Sequence, residues 1–271
     1  MTMHVDVMDL MTRLKAAEEA FVLATVVRTV SVTAAKPGAK AIIRADGSIA
    51  AGWIGGGCAR GAVLRAAREA LADGKARLIS IQPGDLLAEL GIRPGEAREG
   101  MQYARNMCPS QGSMDIFIEP VLPRPSLLIL GASPVALALC SQARGLGFQV
   151  TLAAPASDLG EEPDVDRWVD GFVLEDNSGV DFIVVSTQGK GDEAALRQAL
   201  LLPSDYCGFV GSRRKMDAIK SELLREGVEA ARLDQVKGPA GLDLGAITPE
   251  EIALSILAEI TVQRRRGQRE H

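Results

Sequence analysis

The sequence predicts an α/β protein of two domains, a smaller N-terminal α+β domain and a C-terminal domain built on a doubly wound parallel sheet. Strand-like apolar runs alternate with helix-like segments through the second half, which is the pattern of a parallel sheet with helices on both faces. Three prolines in the six residues 120–125 mark a linker, so the predicted domains are 1–122 and 126–271. Glycine is frequent (28 residues) and only 4% of residues are aromatic, which favours this class over an all-β sandwich.

Composition and charge exclude several classes of function. The formal net charge of -5 gives no reason to expect nucleic acid or an anionic membrane as a partner, and no apolar run reaches the length of a membrane-spanning helix. The two histidines lie at the chain ends, so acid–base catalysis by histidine is not expected. With no signal peptide and no CxxC pair, we expect a cytoplasmic protein with free thiols. The four cysteines are Cys58, Cys108, Cys140 and Cys207.

The first half is predicted to contain two helices and five strands. Asp46-Gly47 between two apolar runs is a hairpin signal, and Gly74 is placed to end the second helix. Residues 82–107, which include two Pro-Gly pairs, are predicted to be irregular. The predicted elements are helices at 5–20 and 59–73, and strands at 21–30, 40–44, 48–53, 77–81 and 112–119.

The second half begins with a continuous apolar run at 127–130, typical of a strand buried on both faces of a parallel sheet. Its last helix starts with a capping box, Thr248-Pro-Glu-Glu251, and ends in Arg264, Arg265 and Arg266. We expect these arginines to be solvated and to complement the helix dipole, rather than to form a binding patch. The other predicted elements are strands at 148–152, 182–186 and 206–210, and helices ending near 144, 202 and 226.

Gly52-Trp-Ile-Gly-Gly-Gly-Cys58 is the first candidate site. Gly55, Gly56 and Gly57 leave the backbone bare for three residues, so it can approach a ligand closely. Cys58 follows at the predicted start of a helix, a position that favours a thiolate and hence a soft metal ligand. The stretch is interpreted either as a cofactor cradle that contains a thiolate, or as a tight turn followed by a buried cysteine.

The second candidate, Gly131-Ala-Ser133-Pro-Val-Ala136, stands where a Rossmann domain carries G-x-G-x-x-G. Gly131 is retained and Ala136 is an accepted substitute, but Ser133 replaces the glycine that lets a pyrophosphate approach the backbone. The carboxylate that would bind a ribose hydroxyl is missing until Asp158. The pattern predicts a Rossmann-like fold and leaves three interpretations open: NAD(P), another anion at the helix N-terminus, or no ligand.

The third candidate is the predicted helix start at 212–215. Ser212 is a good N-cap, and three cations follow it in the first turn, where they oppose the helix dipole. A phosphate would supply the negative partner, since arginine matches its geometry. The alternative is local pairing of these cations with carboxylates such as Asp217 or Asp243.

Five motifs in order resemble the XdhC/CoxI family of molybdenum-hydroxylase maturation factors. Any one of them is weak, but their order and spacing extend from about residue 20 to 262. Ser133 stands where relatives often have histidine, so the chain resembles either the CoxI-like branch or a divergent member of the family. The motifs are Thr33-Ala-Ala-Lys-Pro-Gly-Ala-Lys40, Gly52-Trp-Ile-Gly-Gly-Gly-Cys58, Cys108-Pro-Ser-Gln-Gly-Ser-Met-Asp-Ile-Phe-Ile-Glu-Pro120, Tyr206-Cys-Gly-Phe-Val-Gly-Ser-Arg-Arg-Lys215 and Gly241-Leu-Asp-Leu-Gly-Ala-Ile-Thr-Pro-Glu-Glu-Ile252.

The resemblance implies an N-terminal XdhC/CoxI-type domain and a Rossmann domain, often in a homodimer. Members are taken to bind the molybdenum cofactor (molybdopterin, including its cytosine dinucleotide form), protect it and support its sulfuration, with a cysteine desulfurase as one partner. By position, Cys58 and Cys108 are the candidate residues near the metal, although Cys108 also suits a packed cysteine beside a proline turn. The implied cofactor-binding residues are Gly55, Gly56, Gly57, Cys58, Gly131, Ser133, Ser212, Arg213, Arg214 and Lys215.

We therefore predict a cofactor-binding chaperone with no turnover of its own. Its expected partner is the large subunit of an apo molybdenum hydroxylase of the xanthine, CO or aldehyde dehydrogenase type, which receives the cofactor. The sequence shows no acid–base constellation, which agrees with this role. Two alternatives stay open: an NAD(P)-dependent oxidoreductase that uses the Rossmann domain, and an interaction protein whose dinucleotide fold has lost its ligand.

Overall fold

A computed structural model describes residues 6–31, 33–107, 111–174 and 180–266, apart from the side chain of Cys58. The chain divides into two compact units, Met1–Pro123 and Arg124–His271. Each unit has its own sheet and its own apolar core. Over the described ranges, no helix combines the length and the hydropathy that crossing a membrane requires.

Unit 1 is an α+β arrangement around one mixed sheet. Its described strands are β1 (Phe21–Val30), β2 (Lys40–Arg44), β3 (Ile49–Gly52), β4 (Arg77–Pro83), β5 (Ala97–Arg98), β6 (Met101–Asn106) and β7 (Ser113–Val121). They lie in the order β3-β2-β1-β7-β4-β6-β5, and of these neighbours β4 and β6 run parallel while the others run antiparallel. Its described helices are α1 (Val7–Ala16), α2 (Gly57–Asp73) and α3 (Gly84–Glu89).

α2 packs across one face of this sheet because both surfaces are apolar. Val26 of β1 and Ile116 of β7 point to the same core as Val63 and Ala67 of α2, as expected from the two-residue period of strands. Gly74 ends the helix in the left-handed conformation, with φ of 69°, as predicted. α1 packs on the opposite face, against β2 and β3.

Two predictions for unit 1 were wrong. Residues 82–107 are not irregular, because they contain the end of β4, α3, β5 and β6, and β6 pairs with β4. The two Pro-Gly pairs stand at the start of α3 and before β5, so they bound elements instead of preventing them. Pro120 does not end β7 either, since it pairs with Val22 and the strand continues to Val121. Pairing with β4 stops at Ile118, so proline costs no hydrogen bond on that side.

Unit 2 is a Rossmann-like domain, as predicted. Its described strands are β8 (Ser126–Leu130), β9 (Gln149–Ala154), β10 (Arg167–Asp170), β11 (Phe182–Val185), β12 (Tyr206–Phe209) and β13 (Val236–Lys237). They are parallel and lie in the order β10-β9-β8-β11-β12-β13, the 3-2-1-4-5-6 arrangement of dinucleotide-binding domains. Its described helices are α4 (Pro134–Gly145), α5 (Asp192–Leu201), α6 (Arg213–Arg225), α7 (Ala230–Asp234) and α8 (Pro249–Arg265).

α8 starts with the predicted capping box, in which Thr248 and Glu251 cap each other's backbone. The expectation of solvated arginines at its end was wrong for Arg264. Its guanidinium carbon lies 5.0 Å from the centroid of the buried Phe148 ring, and its Nε has no hydrogen-bond partner among the described residues. Burial lowers the pKa of Arg264. The aromatic face attracts the cation and draws the side chain inward.

Candidate functional site

The candidate segments of unit 1 converge at one end of its sheet. β1 and β3 finish at this end and β7 starts there, because Val30 pairs with Ser113, and Gly52 pairs with Ala41 at the start of β2. The strand pairings thus bring together segments that the sequence presents separately. They are the loop 33–39, the glycine turn 52–57 and the described residues on either side of Cys108.

Residues from these segments, or next to them in the chain, lie in one apolar core. Ala35, Ile54 and Met114 are buried in one apolar cluster although they come from three different segments. Gly55 has a φ of 117°, and a Cβ built on it would lie 3.7 Å from Met114 Cε and 3.4 Å from Ala59 Cβ. The glycine turn therefore rests directly on the start of β7.

The other glycines of the turn have two different roles. Gly52 has a φ of 78°, and a Cβ there would lie 2.0 Å from the carbonyl oxygen of Lys40, so only glycine fits. A Cβ on Gly56 or Gly57 would meet nothing within 4 Å. The first helical hydrogen bond of α2 runs from Arg60 N–H to Gly56 O, so the amides before Arg60 have no acceptor in the helix. Open space and amide donors thus coincide at this helix start.

Both cysteines predicted to lie near a metal fall outside what the structure describes, Cys108 entirely and Cys58 in its side chain. Cys140 and Cys207 are buried free thiols, and burial raises the pKa of each to about 12. They are therefore protonated at neutral pH and unavailable as thiolates. Within the described residues, no three His, Cys, Asp or Glu side chains are grouped to hold a metal ion.

A cleft of about 700 Å³ runs along α2 from the glycine turn. One wall is a helix ridge with a four-residue spacing, Gly57, Gly61, Arg65 and Glu69, and the other is β6 with the turn before β5. The space exists because Gly61, like Gly57, presents no side chain. The sequence did not predict this cleft, since its second wall lies in the segment that was expected to be irregular.

A buried polar cluster on the sheet face opposite α2 was also missed. Asp115 of β7 is 5% exposed. Its carboxylate accepts hydrogen bonds from the Ser80 hydroxyl and from Arg28 Nε, both at 2.6 Å. The Gln82 side-chain amide donates to Ser80 Oγ, also at 2.6 Å. The sequence signal for this cluster is Asp115 itself, a carboxylate inside an apolar strand.

In unit 2, Gly131 stands at the end of β8 in the conformation that the motif predicts. Its φ is 115°, and a Cβ there would lie 2.4 Å from the carbonyl oxygen of Ser186. Ser133 caps α4, because its Oγ accepts the Ala136 N–H at 3.1 Å. The same oxygen lies 2.6 Å from Ser186 Oγ. The hydroxyl of Ser133 is therefore engaged within the protein and ties the first turn to β11.

The crevice beside this turn differs from an NAD(P) site in two respects. α4 offers few donors to a pyrophosphate, since Pro134 has no N–H and the Ala136 N–H is taken by Ser133. β9 ends in Ala154 where a ribose-binding carboxylate is expected. Asp158 lies in a short 3-10 turn after it and pairs with Lys190 at 3.2 Å.

At the start of α6, Ser212 is the N-cap, as predicted, and accepts the Lys215 N–H at 3.2 Å. The Lys215 ammonium pairs with Asp192 Oδ2 of α5 at 2.7 Å. The sequence-based alternative, pairing with a carboxylate, therefore holds for Lys215, but the partner is Asp192 and not Asp217 or Asp243, which that alternative gave as examples. The strand order decides this, because β11 and β12 are neighbours and the helices that follow them start side by side.

Arg213 and Arg214 lie beside this pair and are exposed. Neither makes an ion pair with any residue in the part of the chain that the structure describes. They are the cations of this turn that stay available to an external anion. Their assignment to a phosphate remains a prediction.

The pair between Asp192 and Lys215 should make stability depend on pH. Burial alone would raise the pKa of Asp192, but hydrogen bonds from Lys215 and Thr187 outweigh it and hold the pKa below its ordinary value. Such a carboxyl stabilises the fold above its unfolded pKa of about 3.9, and this contribution is lost as the pH falls through the folded value.

We expect the free energy of unfolding to fall less in Asp192→Asn than in the wild type between about pH 5 and about pH 3. Urea unfolding at both pH values measures this difference. Asp217→Asn, which changes an exposed carboxylate of α6, should follow the wild type. An equal loss in all three proteins would contradict the prediction.

Each of the two units matches a known protein-family model. The model described as the XdhC and CoxI family matches residues 14–82, and the model described as the XdhC Rossmann domain matches residues 127–260. The XdhC and CoxI family match includes β1, the glycine turn and α2 of unit 1. The XdhC Rossmann domain match extends from β8 to α8 of unit 2.

Two curated proteins are similar over much of the chain. The uncharacterized protein YqeB of Escherichia coli (strain K12) is 30% identical over 234 residues, which are 82% of this chain and 40% of YqeB. A probable xanthine dehydrogenase subunit of Bacillus subtilis (strain 168) is 28% identical over 161 residues, 56% of this chain and 47% of that protein. The chain thus spans less than half the length of these relatives. The crystal structure of a xanthine dehydrogenase from Bacillus halodurans is 19% identical, covers 97% of both chains and gives a TM-score of 0.46.

Proposed function

Because this chain belongs to the XdhC and CoxI family, we propose that it is an accessory factor in the maturation of a xanthine dehydrogenase-type molybdenum hydroxylase. In this role it binds the molybdenum cofactor, protects it, supports its sulfuration and passes it to the apo enzyme. The similar protein of Bacillus subtilis is named as part of a probable xanthine dehydrogenase, which supports that client. A cysteine desulfurase partner, a homodimer and a cytoplasmic location belong to the same proposal.

The observation that carries the proposal is the convergence in unit 1. Three segments far apart in the chain meet at one end of the sheet, and two of them lead to or flank the cysteines at 58 and 108. A chaperone needs such a surface more than it needs acid–base groups, because its task is to hold a reactive ligand and release it.

The residues at this end suit a ligand with phosphate groups and a soft metal end. The amides before Arg60 and the open space at Gly56 and Gly57 suit phosphate oxygens. Cys58 and Cys108 would lie near the metal, for which a thiolate is a suitable ligand. The cofactor, when bound, supplies the molybdenum centre of the client enzyme. In unit 2, Arg213 and Arg214 are proposed to bind a phosphate, while Gly131 and Ser133 hold the shape of the turn.

An NAD(P)-dependent oxidoreductase is the alternative, and the 3-2-1-4-5-6 strand order favours it. Two groups that such a site uses are altered, however. The hydroxyl of Ser133 occupies the turn where the second glycine belongs, and Ala154 stands at the ribose position. The strand order therefore supports the fold more than it supports this ligand.

We expect protein purified anaerobically from cells that make molybdopterin to carry pterin and molybdenum. Cys58→Ala should retain about tenfold less molybdenum per chain, because loss of a residue that supports a metal typically costs that much in affinity. Cys140→Ala changes a buried thiol that is protonated at neutral pH and is the matched control. Molybdenum by mass spectrometry and pterin by fluorescence measure both variants.

Wild-type protein that carries no pterin and cannot restore activity to an apo hydroxylase would sink the proposal. Saturable binding of NADH or NADPH in a fluorescence titration of the same preparation would favour the oxidoreductase. Equal molybdenum in Cys58→Ala and in the wild type would leave the accessory role standing, but it would remove Cys58 from the site.

A further inference from the structure

An irregularity in β1 decides where Arg28 lies. Val22, Ala24 and Val26 face the α2 core in strict alternation, and the same alternation would send residue 28 to that core. A register shift between Val26 and Arg28 reverses the pattern, so Arg28 stands on the opposite face and pairs with Asp115. Bulges that re-aim a side chain are common beside functional sites.

The Arg28 guanidinium is held on one side and open on the other. Its Nε donates to Asp115 Oδ2 at 2.6 Å. The Arg28 side chain is 62% exposed, whereas that of Asp115 is 7% exposed. No other described residue bonds this guanidinium, so its two terminal amino groups are left for an external partner.

Asp115 is itself fixed by a chain of hydrogen bonds. The Ser80 hydroxyl has one proton, which it donates to Asp115 Oδ1, so Ser80 Oγ accepts from the Gln82 amide. These hydrogen bonds link β4, β7 and β1 and end at Arg28. An exposed arginine contributes little to stability as an ion pair, whereas a buried carboxylate is costly. The arrangement is therefore better explained by the orientation that it imposes on Arg28.

We propose that Arg28 binds the oxyanion of a small ligand, a phosphate or a carboxylate, with Asp115 as its positioning residue. The two amino groups of a held guanidinium form a fork that matches two oxygens of either anion. Phe117 is 37% exposed on the same face, two residues or about 7 Å along β7 from Asp115. A ligand that carries its oxyanion on an apolar ring contacts both residues. This site does not rest on the proposed cofactor role, since it lies on the other face of the sheet from α2.

Titration calorimetry of the full chain with phenyl phosphate, benzoate and inorganic phosphate tests the site. We expect saturable binding of phenyl phosphate or benzoate, and the tighter of the two identifies the oxyanion. Binding should weaken about tenfold or more in Arg28→Gln, and also in Arg28→Lys, because an ammonium lacks the fork. Arg44→Gln, at an exposed arginine of the neighbouring β2, should bind as the wild type. Phe117→Ala should remove the preference for phenyl phosphate over inorganic phosphate.

The positioning role has a spectroscopic test. In a ¹⁵N–¹H spectrum the Arg28 Nε–H should be protected from exchange in the wild type and unprotected in Asp115→Asn, which should also bind the preferred ring anion several-fold more weakly. No saturable binding of phenyl phosphate or benzoate by the wild type would overturn the proposal. Unchanged binding in Arg28→Gln would overturn it too, as would an equal loss in Arg44→Gln.

Discussion

Gly131→Ala is expected to destabilise unit 2 by about 3 kcal/mol or more. The added Cβ would lie 2.4 Å from the carbonyl oxygen of Ser186 and 2.7 Å from Thr187 Cα, both of them backbone atoms. Its φ of 115° adds strain, because residues with a side chain rarely adopt that conformation. To remove this steric overlap, β8 and β11 would have to move apart where they pair. A local adjustment of the sheet therefore cannot accommodate the added Cβ.

Urea unfolding followed by tryptophan fluorescence measures this effect. A Trp53→Phe background leaves Trp168 of β10 as the reporter, so that unit 2 is observed by itself. Gly145→Ala is the matched control, since Gly145 is the last residue of α4 and a Cβ there would meet nothing within 4 Å. We expect the control to equal or exceed the wild type by up to about 1 kcal/mol. A transition midpoint in Gly131→Ala equal to that of the wild type would refute the steric argument.

Glu259→Ala is expected to have the second largest effect, a loss of about 3 kcal/mol. One oxygen of the Glu259 carboxylate accepts the Tyr206 hydroxyl at 2.7 Å and the Gly241 N–H at 2.8 Å, and the carboxylate pairs with Lys237. Burial raises the pKa of Tyr206, so its hydroxyl stays protonated and donates. The substitution leaves the Tyr206 hydroxyl and the Gly241 N–H without their acceptor, and it leaves Lys237 without its carboxylate, although the Lys237 ammonium still donates to the Gly241 carbonyl at 3.0 Å.

Glu259→Gln separates the contributions of charge and hydrogen bonding. Its amide oxygen still accepts from Tyr206 and Gly241, but the ion pair with Lys237 is lost, so we expect about half the destabilisation. Glu250→Ala, at an exposed carboxylate in the first turn of the same helix, should cost only a few tenths of a kcal/mol. Unfolding in urea ranks the three variants, and an effect of Glu259→Ala no larger than that of Glu250→Ala would contradict the prediction.

Most elements of the fold could be predicted because their signals are local. β1 and β2 have the predicted ends, and the capping box at Thr248 starts α8 where its residues indicated. The elements that were missed are short: β5 and β13 have two residues each, β10 has four, α7 has five, and α3 and β6 have six each. Such segments carry too few residues to show a period, and the strands among them form because a neighbouring strand offers an edge.

For the candidate site residues too, features set by neighbouring residues could be predicted from the sequence, whereas contacts between distant residues could not. Positive φ at Gly55 and Gly131, and capping by Ser212, follow from the motif that contains each residue. The partner of Lys215 does not, because Asp192 lies on another helix. Cys58 and Cys108 were placed near a metal by resemblance, and this assignment stays a prediction.

The family, the α/β class and the positions of the longer elements follow from the amino-acid sequence alone, because hydrophobic periods, helix caps and glycine turns depend on neighbouring residues. The folded arrangement, by contrast, shows which distant segments meet at one end of the first sheet, and that β6 forms one wall of a cleft there. It also shows that Arg28 leaves the core face, since one register shift in a strand moves every later side chain to the other face. Strand pairing joins residues that are far apart in the sequence, so the pattern of neighbouring residues does not predict which strands pair.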